Sequence, residues 1–100
     1  MFQNEIQRKM AVKKRIRDLE GLGPKSEEMI ASVGISSVDA FMDIDPFVLY
    51  AKLKENIDGI GLNFIYAIIG AREGLSWQTV AKNRKTSILM RLDDMGLAPK

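Results

Sequence analysis

The pentapeptide Gly21-Leu22-Gly23-Pro24-Lys25 combines residue types that suit an anion. Glycine permits positive φ and lets another molecule come close to the backbone. An apolar residue between two glycines can anchor a turn in a core, and proline fits the first position of a following helix. The amides at the start of that helix then face outward, at the positive end of its dipole. Lys25 adds a full charge, whereas Pro24 has no N–H to offer. Upstream, Arg8, Lys9, Lys13, Lys14, Arg15 and Arg17 place six cations within ten residues. Phosphate is the anion this grouping suits. Two explanations compete: contact with a nucleic-acid backbone, or a structural turn beside a solvated basic face.

Other chemistry finds little support. The chain has no cysteine and no histidine, which removes disulfides, thiolate zinc sites, the commonest metal ligand and the commonest general base. The acidic pairs Asp43/Asp45 and Asp93/Asp94 read as a helix cap and a helix surface. There is no Walker phosphate loop and no Ser-His or Cys-His pair. The expectation is therefore no enzyme, no metal and no cofactor. No membrane span or signal peptide is expected either, which leaves a cytoplasmic soluble domain.

The net charge of +2 conceals an uneven distribution. Residues 1–25 carry +4, residues 26–81 carry −5 and residues 82–100 carry +3. Such a chain can present a basic surface despite a nearly neutral total.

The elements that must position these residues read as helices throughout one domain spanning residues 1–100, with 1–11 as an arm or helix extension. In a first helix Val12, Ile16 and Leu19 share one face, with Lys13, Lys14 and Arg17 on the roughly opposite side. Phe2, Ile6 and Met10 form a second stripe, which packs on the domain or on a second copy. Gly21-Leu22-Gly23 ends that helix. Pro24 opens the next, which buries Met29, Ile30 and Val33 and stops at Gly34. Ser36 with Asp39 suggests a capping box for a short helix carrying Val38, Phe41 and Met42. Asp45-Pro46 starts a helix with Phe47, Tyr50, Leu53 and Ile57 inward. The stretch GLNFIYAIIGA, apolar nearly all round, predicts the central helix, closed by Gly74. Ser76 caps a short turn with Trp77 and Val80. A last helix from about Asn83 to Met95 buries Ile88, Leu89, Leu92 and Met95, and its opening cations Lys82, Arg84 and Lys85 sit where the dipole disfavours them. Tyr50, Phe64, Tyr66 and Trp77 read as core. The fold class is all-α, five or six helices. A second Gly-hydrophobic-Gly turn, Gly59-Ile60-Gly61, raises the question of a duplicated hairpin.

A helix, a Gly-hydrophobic-Gly turn and a second helix resemble the helix-hairpin-helix motif. The wider sequence resembles the C-terminal domain of the TfoX/Sxy competence regulators: the "GLGPKSEEM" turn, the "GISSV" start of the next helix, "GLNFIYAIIGAREG" and the tryptophan after it. This resemblance covers about residues 16 to 95. It implies a helical domain linked to activation of DNA-uptake genes together with the cyclic-AMP receptor protein. Members usually carry a further N-terminal domain, so the chain is read as a fragment or a short stand-alone relative. A looser similarity joins "LGPKSEEMIASVGISSVDAF" to the C-terminal domain of the bacterial RNA polymerase alpha subunit. There an arginine and an asparagine reach the minor groove; Lys25 and Glu28 occupy those positions here, and Glu27 stands where a small residue is usual.

The functional expectation is a transcription-regulatory module. Gly21, Gly23 and Lys25, with Lys13, Lys14 and Arg17, would hold a DNA backbone without reading bases. The alternative is a protein-interaction module in which Phe2, Ile6 and Met10 form a dimer seam or a docking ridge for the transcription machinery.

Overall fold

A computed structural model describes residues 14–98, and within them the chain forms a 3-10 turn, Ile16–Asp18, and five α-helices. These are α1 (Pro24–Ser32), α2 (Val38–Asp43), α3 (Pro46–Asn56), α4 (Leu62–Glu73) and α5 (Trp77–Asp94). The links between helices hold only two to five residues (33–37, 44–45, 57–61 and 74–76). Phe2, Ile6, Met10 and Lys13 lie outside the described residues.

The helix starts follow their chemistry. Asp45 Oδ1 accepts from the Phe47 amide at 2.7 Å, and Pro46 takes the first position of α3. Ser76 Oγ accepts from the Thr79 amide at 3.2 Å and caps α5. The cap of α2 is Ser37, whose Oγ accepts from the Ala40 amide at 3.1 Å, rather than Ser36. Three other expectations are corrected. The turn at Ser76 and the last helix are one continuous α5, so Lys82, Arg84 and Lys85 fall beyond its first turn. Met95, expected to be buried, is exposed, because it follows the end of α5 as its C-cap residue. The third correction concerns the segment before the glycine turn: among the described residues it is a 3-10 turn rather than an α-helix. Side chains capture the donors a helix would need. The Arg15 amide donates to Asp18 Oδ2 at 3.0 Å, and the Arg17 amide to Glu27 Oε2 at 3.3 Å.

The core gathers Ile16, Ile30, Phe41, Leu49, Leu53, Ile65, Ile68, Val80 and Leu92, with no charged residue buried among the described residues. Helix α4 is the central element, as its all-round apolarity predicts. It buries Ile65, Tyr66, Ile68, Ile69, Gly70 and Ala71, and packs most extensively on α5. Half-buried Arg72 extends from α4 to the end of α2, where its guanidinium donates to the carbonyls of Phe41 and Ile44 at 2.9 and 2.8 Å.

Candidate nucleic-acid interface

The turn before α1 owes its shape to Gly21, whose φ of +77° lies in the left-handed region. Leu22 is half-buried against the core and tethered by its amide to the Leu19 carbonyl at 3.0 Å. Gly23, the N-cap residue of α1, differs from Gly21. Its φ of −143° suits any residue, and a Cβ added there would meet nothing within 4 Å. Neither conformation nor internal packing calls for glycine at this position. With no side chain, it caps none of the amides of α1. Pro24 has no amide hydrogen, and the first helical bond runs from the Glu27 amide to the Gly23 carbonyl at 2.9 Å. The Lys25 and Ser26 amides therefore stand free at the positive end of the helix.

Lys25 is exposed and has no carboxylate partner among the described residues. Lys14 is exposed as well. Arg17 is engaged differently. Its Nε and a terminal nitrogen donate to Glu27 Oε1 at 3.0 and 2.9 Å, and Arg15 donates to the same oxygen at 2.9 Å. Glu27 is only 14% exposed on its side chain and ties the 3-10 turn to α1. Glu27 stands where the turn usually has a small residue, and here two guanidiniums balance its charge. Glu28, by contrast, is exposed.

The Arg17 hydrogen bonds hold the Glu27 carboxyl below its ordinary value of 4.5, with burial opposing and the Arg15 charge assisting. A depressed carboxylate stabilises the fold above its unfolded value, and that contribution disappears as pH falls through the folded value. Glu27→Gln is thus expected to melt below the wild type at neutral pH, with the gap closing as pH falls below the ordinary carboxylate range. Paired thermal melts check this; a gap independent of pH would contradict it.

The second glycine turn shares this geometry. Gly59 has φ +85°, Ile60 is buried, and Gly61 is an uncapped N-cap for α4. Here both flanking elements, α3 and α4, are α-helices. Between the two turns lies a groove of about 440 Å³, lined by Ser26 and Met29 of α1, Gly61, Asn63, Phe64 and Ala67 around α4, and Trp77. Of the four aromatics read as core, Tyr50 and Tyr66 are buried, while Phe64 and Trp77 are half-buried at this groove.

Among the described residues no group of three acidic residues is placed to hold a metal, and no helix is long and apolar enough to cross a membrane. The sequence is 24% identical over 80 residues to the DNA transformation protein TfoX1 of Aliivibrio fischeri (strain ATCC 700601 / ES114). That match covers 79% of this chain but 38% of the relative, so the chain spans well under half of the longer protein. The fold is similar to a crystal structure of an uncharacterised protein from Listeria monocytogenes, with a TM-score of 0.72 at 18% identity, covering 87% of this chain and all of that one. The TfoX C-terminal domain profile matches residues 12–92, and on that match the chain belongs to the TfoX C-terminal domain family.

Proposed function

We propose that the domain is a non-enzymatic, cytoplasmic module of transcription regulation that binds the DNA backbone through the N-terminus of α1. One observation carries the reading: Gly23 is glycine without conformational or packing need, directly before two free amides and the exposed ammonium of Lys25. A residue there with a side chain would stand between the backbone and an approaching phosphate. Lys14 lies on the same basic segment, and Lys13 would extend it. Arg17 would contribute its positive field while its hydrogen bonds serve Glu27. Contacts of this kind hold without reading sequence, so specificity would come from a protein partner. The name of the Aliivibrio fischeri relative supports a role in DNA transformation, and the family resemblance supports the cyclic-AMP receptor protein as partner.

Gly23→Ser separates a structural turn from a phosphate site. Serine is a good N-cap, so stability should hold or rise by a few tenths of a kcal/mol. Its hydroxyl would occupy the amides a phosphate needs, and duplex binding should fall. Lys25→Glu should weaken duplex binding roughly tenfold at low salt. It should also lower the slope of log K against log salt by about 0.9. Duplex affinity unchanged in both variants would overturn the reading.

The groove between the turns favours a second reading, a protein-docking module. Met29, Phe64 and Trp77 offer a half-buried apolar surface there, suited to an apolar side chain. In that case Phe64→Ala would abolish partner capture while duplex binding stayed at background for every variant.

A further inference from the structure

Arg15 differs from the other cations around the glycine turn, because it is held in place while most of its side chain faces solvent. We propose, resting on the α1 reading, that Arg15 makes a second phosphate contact beside that helix end and that Glu27 is the residue that positions it.

The backbone and the side chain of Arg15 are both anchored. Its neighbour Ile16 is 1% exposed and belongs to the core. The Arg15 amide donates to Asp18 Oδ2 at 3.0 Å. One terminal nitrogen of its guanidinium donates to Glu27 Oε1 at 2.9 Å, although the side chain is 65% exposed. Among the described residues this is the one hydrogen bond of the Arg15 side chain, and it uses one of the five N–H groups of a guanidinium. The others remain for a further acceptor. Arg17 is in a different state. It donates twice to the same Oε1 and once, through its amide, to Oε2, and its side chain is 37% exposed. Its donors are largely spent on the carboxylate.

A loose arginine side chain loses much rotamer freedom on binding, and a residue that holds it beforehand removes part of that cost. A guanidinium already oriented can offer phosphate two parallel N–H bonds. Glu27 provides the hold from the first turn of α1, and the Arg17 hydrogen bonds keep its carboxyl ionised. Two guanidiniums and one carboxylate leave a single positive charge at this point. Lys25 and Glu27 lie two residues apart, about 200° round the helix. The Arg15–Glu27 pair and the Lys25 ammonium therefore flank the free Lys25 and Ser26 amides from opposite sides of α1. With a cation on each side, the helix end can take two neighbouring phosphates of one strand, where Lys25 alone would hold one.

The test is duplex binding by the whole 100-residue chain across a salt series, with circular dichroism confirming that each variant is folded. Arg15→Gln leaves Arg17 to satisfy Glu27. It should weaken binding several-fold at low salt and lower the slope of log K against log salt by about 0.9. Glu27→Met decides the role of the carboxylate by the sign of its effect. Removing an anion beside the duplex tightens binding if Glu27 only repels phosphate, and weakens it if Glu27 positions Arg15. In the Arg15→Gln background the same change should no longer weaken binding, a coupling that a merely structural role would not produce. Should Glu27→Met not fold, Glu27→Asp takes its place, since it keeps the charge and shortens the reach. Weaker binding then supports the positioning, and unchanged binding overturns it. A folded Glu27→Met that binds as tightly as the wild type, or tighter, overturns it as well. Unchanged affinity and slope in Arg15→Gln, with Lys25→Glu still weakening binding, would remove the Arg15 contact and leave the α1 reading standing. If neither Lys25→Glu nor Arg15→Gln alters binding, the α1 reading itself fails and the Arg15 contact falls with it.

Discussion

Gly70→Ala should lower the melting temperature by about 10–20 °C, a loss of about 2–3 kcal/mol. Two effects oppose each other at this position. Alanine is the better helix former by about 1 kcal/mol, so an unobstructed site would gain. Gly70 is not unobstructed. A Cβ there would lie 2.4 Å from the Leu75 carbonyl oxygen, and 3.3 Å from its carbon. The neighbour is backbone, so no side-chain rotation relieves the clash. Nor can the segment easily withdraw, because the Leu75 amide donates to the Gly70 carbonyl at 2.8 Å and Gly74, with φ +73°, turns the chain back over the helix. The substitution would have to separate α4 from the start of α5, the most extensive helix contact in the fold. Thermal melts followed by circular dichroism decide it, and an unchanged or higher midpoint would show that the turn yields.

Arg72→Met is expected to cost about 3 kcal/mol in urea denaturation. Helix α2 has only six residues, far too few to hold itself together. Its last turn leaves carbonyls without helical partners, and one guanidinium nitrogen of Arg72 serves both Phe41 and Ile44. Hydrogen bonds to a charged donor contribute about 1.5–3 kcal/mol each, and two on one nitrogen add less than their sum. The positive charge also faces the negative end of the helix. Methionine keeps much of the stem's packing while removing the donors, so the measured loss isolates the polar link. Hydrogen exchange should speed up first in residues 38–43. A shift of the urea midpoint within error of the wild type would mean that water replaces the guanidinium without cost.

Much of the fold was legible because helix punctuation is local. Asp45-Pro46, Ser76, Gly74 and the uniformly apolar GLNFIYAIIGA each announce their role through two or three adjacent residues. The segment before Gly21 misled for a physical reason. Val12, Ile16 and Leu19 have helical spacing, but Glu27, ten residues beyond Arg17, claims the donors, and no local pattern reveals so distant a competitor. Arg72 illustrates the same limit: its partners lie 28 and 31 residues away. Gly70 gave a faint signal, a glycine within an otherwise excellent helix, which usually marks close backbone approach. At the candidate interface the sequence picked out Gly21, Gly23 and Lys25 together. It could not separate the glycine that shapes the turn from the glycine that leaves it open, because only φ and the space around Cβ distinguish them.

The shortness of the links between helices, two to five residues each, bears on how the domain forms. Closing so small a loop restricts little chain, and each helix meets its successor before more distant partners are needed. Topologies of this kind reach the native state in microseconds to milliseconds. The α4–α5 pair, joined by three residues, is the natural nucleus, with α2 consolidating once Arg72 is in place to receive it.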